Sequence, residues 1–581
     1  MNARAVDHEV VIVGLGPTGL VLAHALGQRG IDVLVLEREP AFYGNARAVY
    51  TDGECLRIFQ SLGLADALQA DMLEDVPVQM VLADGSCLVS TRNPDRPHGW
   101  AASNFFYQPF LETTLADALA RHPHVKLLRG RSVVGFEQDA DGVDVAHVAS
   151  RGSGYGRTDD ETPSADIPVH VRARFLVGAD GGRSFVRTQL GIAMSGRSFP
   201  TPWLVVDIKA KNGLDGLRHV PYFSFVCDPE CPTVNCVQPQ GHHRFEFMLP
   251  AGQTREAMEA PDSVRRHLAR HVDVERFDVL RQLVYTFNAL VAERWRDRRV
   301  LLAGDAAHMT PQFIGQGMNA GVRDAHNLGW KLHAVLRGLA AETLLDSYEA
   351  ERRPHVTAMI REAVRIKDLV SLRSPLGAAV RNVMMRTLVR TPRIGRLFTR
   401  GELIPKPVYR RGSYLGLPRR GWRGPEGTLM PQPPVRLPDG RRHRLDDCTG
   451  AGFLLLGAGT DPRAHLGSAD RAWLDRLGAR LATMWRWGDR PQGRDVDPAW
   501  PRDLLELEDV TGAWHAWLRR CGVPQGHVLV IRPDRFVFAA VRPARLGDAL
   551  QRLRAGMGRP ASITPPFPQP SEPTPCIASS D

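Results

Sequence analysis

The chain is poor in several features that would send it elsewhere. Only eight of its 581 residues are cysteine, and no pair stands as Cys-x-x-Cys. That argues against a disulfide-stapled framework and for a reducing compartment, and it removes dithiol redox chemistry. No run of about eighteen apolar residues occurs, so no membrane partner is expected. The chain opens Met1-Asn2-Ala3-Arg4 and enters an apolar strand at Val10 without a signal-peptide pattern, which predicts a cytoplasmic protein. Cys227, Cys231 and Cys236, followed by His242 and His243, lack a Cys-x2-Cys knuckle and read as free thiols rather than zinc ligands, so no metal is expected. The net charge of +10 has no recognisable nucleic-acid module behind it. Much of the excess lies between Arg386 and Arg444 and reads as a solvated basic face that draws in anionic small molecules. Internal repeats are absent.

What remains is ordinary globular material, 43% hydrophobic and 24% charged, long enough for two or three domains. Glu9 to Glu37 reads as strand, glycine turn, helix, strand: Val10–Val13, a stripe of Leu20, Ala23, Leu26 and Gly27, then Val33–Leu36. Short alternating segments follow, Val78 to Leu82 and then Trp203 to Leu249, including Arg244-Phe245-Glu246-Phe247-Met248. They predict one antiparallel sheet assembled from distant segments. Phe110 to Leu119 and Met318 to Leu339 have helical spacing, Val143–Val145 reads as a strand, and Ser150 to Asp166 as a surface loop. After an Arg- and Pro-rich stretch, a new α/β pattern runs through strand Phe453–Leu456, helix Ala469–Trp485, strands Val528–Ile531 and Phe536–Ala540, and helix Arg545–Met557. The expected domains are a discontinuous cofactor unit (1–75, 101–200, 296–390) and a substrate sheet (76–100, 201–295). A linker or wrapping segment (391–444), a C-terminal α/β unit (445–559) and a disordered tail (560–581) complete the chain.

Three motifs carry the chemistry. In Gly14-Leu15-Gly16-Pro17-Thr18-Gly19 the first glycine suits a tight turn, Gly16 close approach of a phosphate, and Gly19 helix–strand packing. Glu37 ends the next strand, placed for ribose hydroxyls. Gly178-Ala179-Asp180-Gly181 and Gly304-Asp305-Ala306-Ala307-His308 follow. The second ends a buried strand in a carboxylate and leads into Pro311 and Gly315-Gln316-Gly317-Met318-Asn319. Such a carboxylate suits a ribityl hydroxyl, and a helix starting near Met318 aims N–H groups at a flavin pyrimidine. FAD is the expected cofactor.

The order of these motifs, with Gly178 to Arg187 reading Gly-Ala-Asp-Gly-x-x-Ser-x-Val-Arg, resembles the single-component FAD-dependent aromatic hydroxylases over residues 10 to about 370. The C-terminal segment resembles the thioredoxin-like domain of their phenol hydroxylase branch. Ala46-Arg47-Ala48, Trp100 and Glu246 to Leu249 are most similar to its hydroxyphenylpropionate hydroxylases. The resemblance implies a mixed α/β fold: a Rossmann-like FAD-binding domain, an interleaved antiparallel sheet and a structural thioredoxin-like unit. It implies that NADH or NADPH and O2 are used to hydroxylate a phenolic acid ortho to its hydroxyl, with 3-(3-hydroxyphenyl)propionate as expected substrate. Another phenol or an aromatic polyketide is the alternative substrate, and a non-catalytic FAD-binding protein a remote one. A halogenase is disfavoured because no Trp-x-Trp-x-Ile-Pro occurs between the later motifs.

Residue by residue, Arg47 and Gln108 match positions holding FAD phosphates and sugar, with a surface arginine and a helix cap as alternatives. Asp180 matches a cofactor contact or a structural turn, and Asp305 the ribityl-binding carboxylate. Pro311, Gly317, Met318 and Asn319 belong to the flavin loop. Asp52 and Tyr285 match the pair that raises phenolate character at the substrate, with a turn or cap and a core tyrosine as alternatives. His308 is assigned to a proton relay, against a structural histidine. A homodimer contact through the C-terminal unit is left open.

Overall fold

The computed structural model describes residues 5–42, 47–152, 167–212, 223–250, 252–402, 404–414, 424–491 and 504–558. The expected surface loop at 150–166 falls mostly, and the tail at 560–581 wholly, outside the described residues.

The N-terminal motif folds as its spacing demands. Strand His8–Val13 is buried throughout, helix Pro17–Gly27 starts with proline in its first turn, and strand Val33–Glu37 returns parallel to the first. Strand Val169–Gly178 then pairs parallel with His8–Val13, and Val300–Leu302 with Val169–Gly178, so Val13, Gly178 and Leu302 stand in register. All three motifs therefore leave the carboxyl ends of neighbouring parallel strands, where open α/β sheets bind ligands. Helix Gly317–Leu336 packs across helix Pro17–Gly27, with the bare Gly329 against Ala25.

The second sheet runs in the order His308–Met309, Phe277–Ala292, Met194–Ala210, His242–Met248, Thr233–Val237, Phe223–Val226, Val78–Val81, Cys87–Thr91. The two sequence segments do form one sheet, but it is mixed: Phe223–Val226 joins Val78–Val81 in parallel. A parallel join needs a long crossover rather than a tight turn, and about 140 residues separate these two strands. Along its central strands alternation is strict. Leu204, Val206, Ile208, Phe245 and Phe247 pack on one side with Met258, Val264 and Leu268, leaving Val205, Asp207, Arg244 and Glu246 on the other.

The C-terminal unit departs from expectation in two places. Ala469 to Trp485 is not one helix: helix Ser468–Arg476 is followed by strand Arg480–Arg486. Leu477-Gly478-Ala479 ends the helix with Gly478 at φ +62°, and Leu481, Ala482 and Met484 continue as a parallel strand beside Leu454–Ala458. Within 391–444 the structure holds helix Pro392–Thr399 and strands Pro434–Arg436 and Arg442–Arg444, which extend the C-terminal sheet. The connectivity is strand Leu454–Ala458, helix Ser468–Arg476, parallel strand Arg480–Arg486, an added parallel strand Leu504–Asp509, helix Ala513–Arg520, then antiparallel strands Val528–Ile531 and Val537–Val541 and a last helix. This is a thioredoxin-like arrangement.

That unit is fixed to the rest by buried charge. Glu351 accepts from Arg532 at 2.7 and 2.8 Å and from Lys331 at 2.7 Å, while Asp534 takes the Trp330 indole N–H and the Asn327 amide, each at 3.1 Å. Arg57 reaches Asp446 with two more bonds. Each ion has a partner, the condition under which buried charge is tolerated. No described helix is long and apolar enough to cross a membrane.

Candidate active site

One cavity of about 2730 Å³ runs from the parallel-sheet motifs to the polar face of the second sheet. Ligand pockets usually span roughly 300–1,000 Å³, so this one has room for a large cofactor and a substrate together.

The first end is built of bare backbone. Gly14 has φ +103°, and a Cβ there would overlap the Ala179 carbonyl; Gly19 is closed against the Gly14 carbonyl in the same way. Gly16 and Gly317 have nothing within 4 Å of a Cβ and open onto the cavity. Two glycines close the turn, and two leave free backbone at the starts of two helices, where the dipole favours negative charge. Glu37 lines the cavity and accepts from the backbone N–H groups of Leu15 and Glu39, at 2.7 and 2.9 Å, so the acid also holds the turn. Asp305 faces the cavity and makes no hydrogen bond to a described residue. This set fits FAD: open N–H groups for the pyrophosphate, Glu37 for the ribose, Asp305 for the ribityl chain, and Gly317 with Met318 at the flavin end.

Other expected cofactor residues act less directly. Gln108 accepts from the backbone N–H groups of Arg47 and Ala48, at 2.5 and 2.6 Å, and donates to Glu112. Its amide therefore anchors the loop that carries Arg47, and both residues line the cavity. Asp180 also lines it, but its two oxygens take the Ser184 hydroxyl and the Val186 N–H, at 2.5 and 3.1 Å, at the start of the short helix Phe185–Gln189 that Ser184 caps. Two further residues expected at the cofactor stand off the cavity lining. Asn319 is fully buried and off the cavity: it bonds Thr51 and the Tyr50 and Gly315 carbonyls, tying the flavin loop to the Asp52 strand. Pro311 is buried and starts the short helix Gln312–Ile314 without facing the cavity.

Asp52 and Tyr285 both line the cavity but share no hydrogen-bond partner among the described residues. Asp52 caps helix Gly53–Ser61 by accepting from Cys55 N–H at 3.0 Å, and it meets Arg323 at 2.5 Å and Gln316 at 3.1 Å. Burial opposes its charge, yet Arg323, the cap and Gln316 hold its carboxyl down at about 2. Arg323 also binds Glu54 at 2.8 Å and the Gln316 amide oxygen at 2.9 Å. Arg323 was not singled out in the sequence; its signal was Arg at the second turn of a helix whose first turn faces a cofactor.

Tyr285 stands where the second sheet faces the cavity. The Gln312 amide lies between it and Glu246, donating to Glu246 Oε1 at 2.6 Å and accepting from the Tyr285 hydroxyl. Burial raises the Glu246 carboxyl to about 7 against the pull of Arg244. Arg244 forms a two-point pair with Asp207, at 2.7 and 3.1 Å, and donates to the Arg47 carbonyl. Phe313 packs edge-on to Trp203 and Phe287 and stacks with Phe225, giving the cavity an aromatic wall. Glu246 was legible only as a polar residue alternating with Phe245 and Phe247.

His308 does not reach the cavity. It is fully buried, bonded through Nε2 to Asp324 at 2.5 Å and packed on Trp295, while Asp324 also binds Arg352. These contacts are structural and not those of a proton relay: in the short strand His308–Met309 it is Met309 that lines the cavity, and alternation turns His308 inward. Among the described residues no group of His, Cys, Asp and Glu could hold a metal ion. Cys227, Cys231 and Cys236 are buried free thiols.

The family model described as FAD binding domain matches residues 7–363, and that described as HcaD C-terminal domain matches 427–556. The chain is 37% identical to the 3-(3-hydroxy-phenyl)propionate/3-hydroxycinnamic acid hydroxylase of Burkholderia cenocepacia (strain HI2424), over 95% of this chain and 97% of that one. It is 36% identical to the protein of that name from Mycobacterium avium (strain 104), over 97% and 94%. Among solved structures, anhydrotetracycline hydroxylase from Streptomyces rimosus is similar at TM-score 0.69 and 28% identity, covering 95% of this chain and all of that one. A ternary complex of aklavinone-11 hydroxylase with FAD matches in fold at TM-score 0.73 and 24% identity, over 95% and 100%. With the motifs, the cradle and these relatives in agreement, the chain belongs to the FAD-binding family of aromatic hydroxylases and is a flavin-dependent monooxygenase.

Proposed function

We propose that the enzyme hydroxylates a phenolic acid ortho to its hydroxyl, converting 3-(3-hydroxyphenyl)propionate to 3-(2,3-dihydroxyphenyl)propionate. The balance is phenol, O2, NAD(P)H and a proton giving catechol, water and NAD(P)+. The observation that carries the reading is the single cavity joining the glycine cradle to an aromatic-walled sheet face with a few polar groups. The printed names of the full-length relatives supply the substrate.

FAD bound in the cradle supplies the redox chemistry, accepting hydride from reduced nicotinamide and letting O2 deliver one oxygen to the ring. The chain's own residues bind and bias the substrate. Phe223, Phe225 and Phe313 exclude water and hold the ring. Asp52, fixed as an anion by Arg323, is the hydrogen-bond acceptor that draws the phenolic proton outward and raises electron density on the ring. Tyr285 orients the substrate from the sheet side. A second reading, hydroxylation of a larger aromatic polyketide, is favoured by the cavity volume. We further propose a cytoplasmic enzyme, consistent with its use of NAD(P)H. Dimerisation through the C-terminal unit is checked by light scattering.

The test is NAD(P)H consumption with product analysis over 3-(3-hydroxyphenyl)propionate, 3-hydroxycinnamate, neutral phenols and a polycyclic phenol. The expected result is a yellow protein giving a catechol from the phenylpropionate. Stimulated NAD(P)H oxidation with no hydroxylated product from any phenolic acid would overturn the reading.

A further inference from the structure

Charge is distributed unevenly along the cavity. At the Asp52 end one guanidinium, Arg323, faces two carboxylates, Asp52 and Glu54. On the sheet face the ratio reverses among the described residues: Arg244 and Arg281 both pair with Asp207, at 2.7 and 3.5 Å. Strand register produces this row, because Asp207 stands opposite Arg244 on one side and Arg281 on the other. Glu246, one step along the same face, offsets only part of the excess at neutral pH: burial raises its carboxyl to about 7, and the Gln312 amide is turned to it. Three other arginines that line the cavity each meet one carboxylate, Arg255 with Glu259, Arg365 with Glu362 and Arg400 with Asp95.

The row is a built site. Arg244 is almost fully buried, its fork fixed by Asp207 and by the Arg47 carbonyl. The Arg281 side chain keeps 15% of its surface and lines the cavity. It lies four residues before Tyr285 on the same face, about 13 Å along the strand at the usual rise. An arginine arm, a three-carbon acid chain and an aromatic ring together cover that span. A planar guanidinium in a low-dielectric wall recognises a carboxylate by paired, charge-assisted hydrogen bonds.

We infer that Arg281, backed by the Arg244–Asp207 pair, is the subsite for a carboxylate carried by the aromatic substrate, and that it makes the enzyme select phenolic acids over neutral phenols. The inference rests on the hydroxylase reading above and assigns the end of the substrate remote from the reacting ring. The polarity of the cavity follows: the acid end of the ligand meets the cation excess, and the phenolic hydroxyl, a donor, meets the anion excess at Asp52.

The experiment compares kcat/KM of the holoenzyme for 3-(3-hydroxyphenyl)propionate and for neutral 3-propylphenol, in wild type, Arg281→Gln and Arg281→Lys. Flavin absorbance and melting temperature check that each variant is folded and loaded. Arg281→Gln is expected to lower the acid-to-neutral ratio tenfold or more, chiefly through KM for the acid, and Arg281→Lys to recover part of it. An unchanged ratio, whether both substrates decline together or neither does, overturns the subsite. Hydroxylation of neither compound by wild type overturns the parent reading, and this subsite with it.

Discussion

The two ends of the cavity recognise their ligands by different means. The parallel-sheet end uses backbone: Gly14 and Gly19 are closed against carbonyls, and Gly16 and Gly317 lie open with N–H groups at helix starts. The mixed-sheet end uses side chains, Asp207, Arg244, Glu246, Arg281 and Tyr285, drawn from three strands. Backbone recognition constrains residue type at each position within one short segment. Side-chain recognition is distributed across the register and leaves no local pattern. The second is where substrate choice can change without disturbing the cofactor.

Four measurements press on that contrast. The largest effect belongs to Arg323, which holds Asp52 and Glu54 together at the Asp52 end. Arg323→Met leaves Asp52 and Glu54 buried without their cation, and a loss of about 3–5 kcal/mol is expected by chemical denaturation. A loss below about 1 kcal/mol would mean that those carboxylates reach solvent. Next is Gly16→Val. Its Cβ meets no protein atom, so the apoprotein should melt near wild type while FAD affinity drops about 100-fold, roughly 3 kcal/mol. An equal loss of apoprotein stability would make Gly16 a packing residue instead.

The third concerns Glu246, whose folded carboxyl sits at about 7 against an ordinary 4.5. Its folded state holds the proton more tightly than the unfolded chain, so stability is full below about pH 4.5 and falls as pH rises through 7. Glu246→Gln should therefore gain on wild type with rising pH, by up to about 3 kcal/mol at pH 8 relative to pH 4.5. A pH-independent difference in melting temperature would place Glu246 in contact with water. The smallest is Asp52→Ala. Removing the cap costs about 1 kcal/mol, and the hydroxylation step should slow about tenfold, some 1.4 kcal/mol, while the flavin stays bound. Unchanged kcat would reduce Asp52 to a helix cap.

The same contrast explains what could be read from the chain. The βαβ unit, the FAD cradle and Asp305 were legible because each depends on residues adjacent in sequence. Gln108 was expected to bind the cofactor; the contact that the structure shows is its anchoring of the Arg47 loop, which spans 61 residues. His308 and Asn319, expected at the site, turn away from the cavity for one reason. Motif membership gives a residue's place in the chain, whereas strand alternation and helix phase decide which side it faces. The helix expected from Ala469 to Trp485 failed similarly, since its apolar residues suit a helix stripe until Gly478 breaks it and the Leu454–Ala458 strand recruits the remainder. Arg323 had only its place in the second turn of the helix after the flavin loop as a signal, and the Arg281–Asp207–Arg244 row had no local signature.

By itself the sequence determined the cofactor and the reaction class, because phosphate and ribityl recognition needs glycines and a carboxylate at fixed distances from strand ends. Tertiary structure alone decided that Val13, Gly178 and Leu302 would end side by side, and that one face of a mixed sheet would carry two arginines on one aspartate. Register is a pairing between distant strands, and a shift of one residue would turn every one of those side chains to the opposite face.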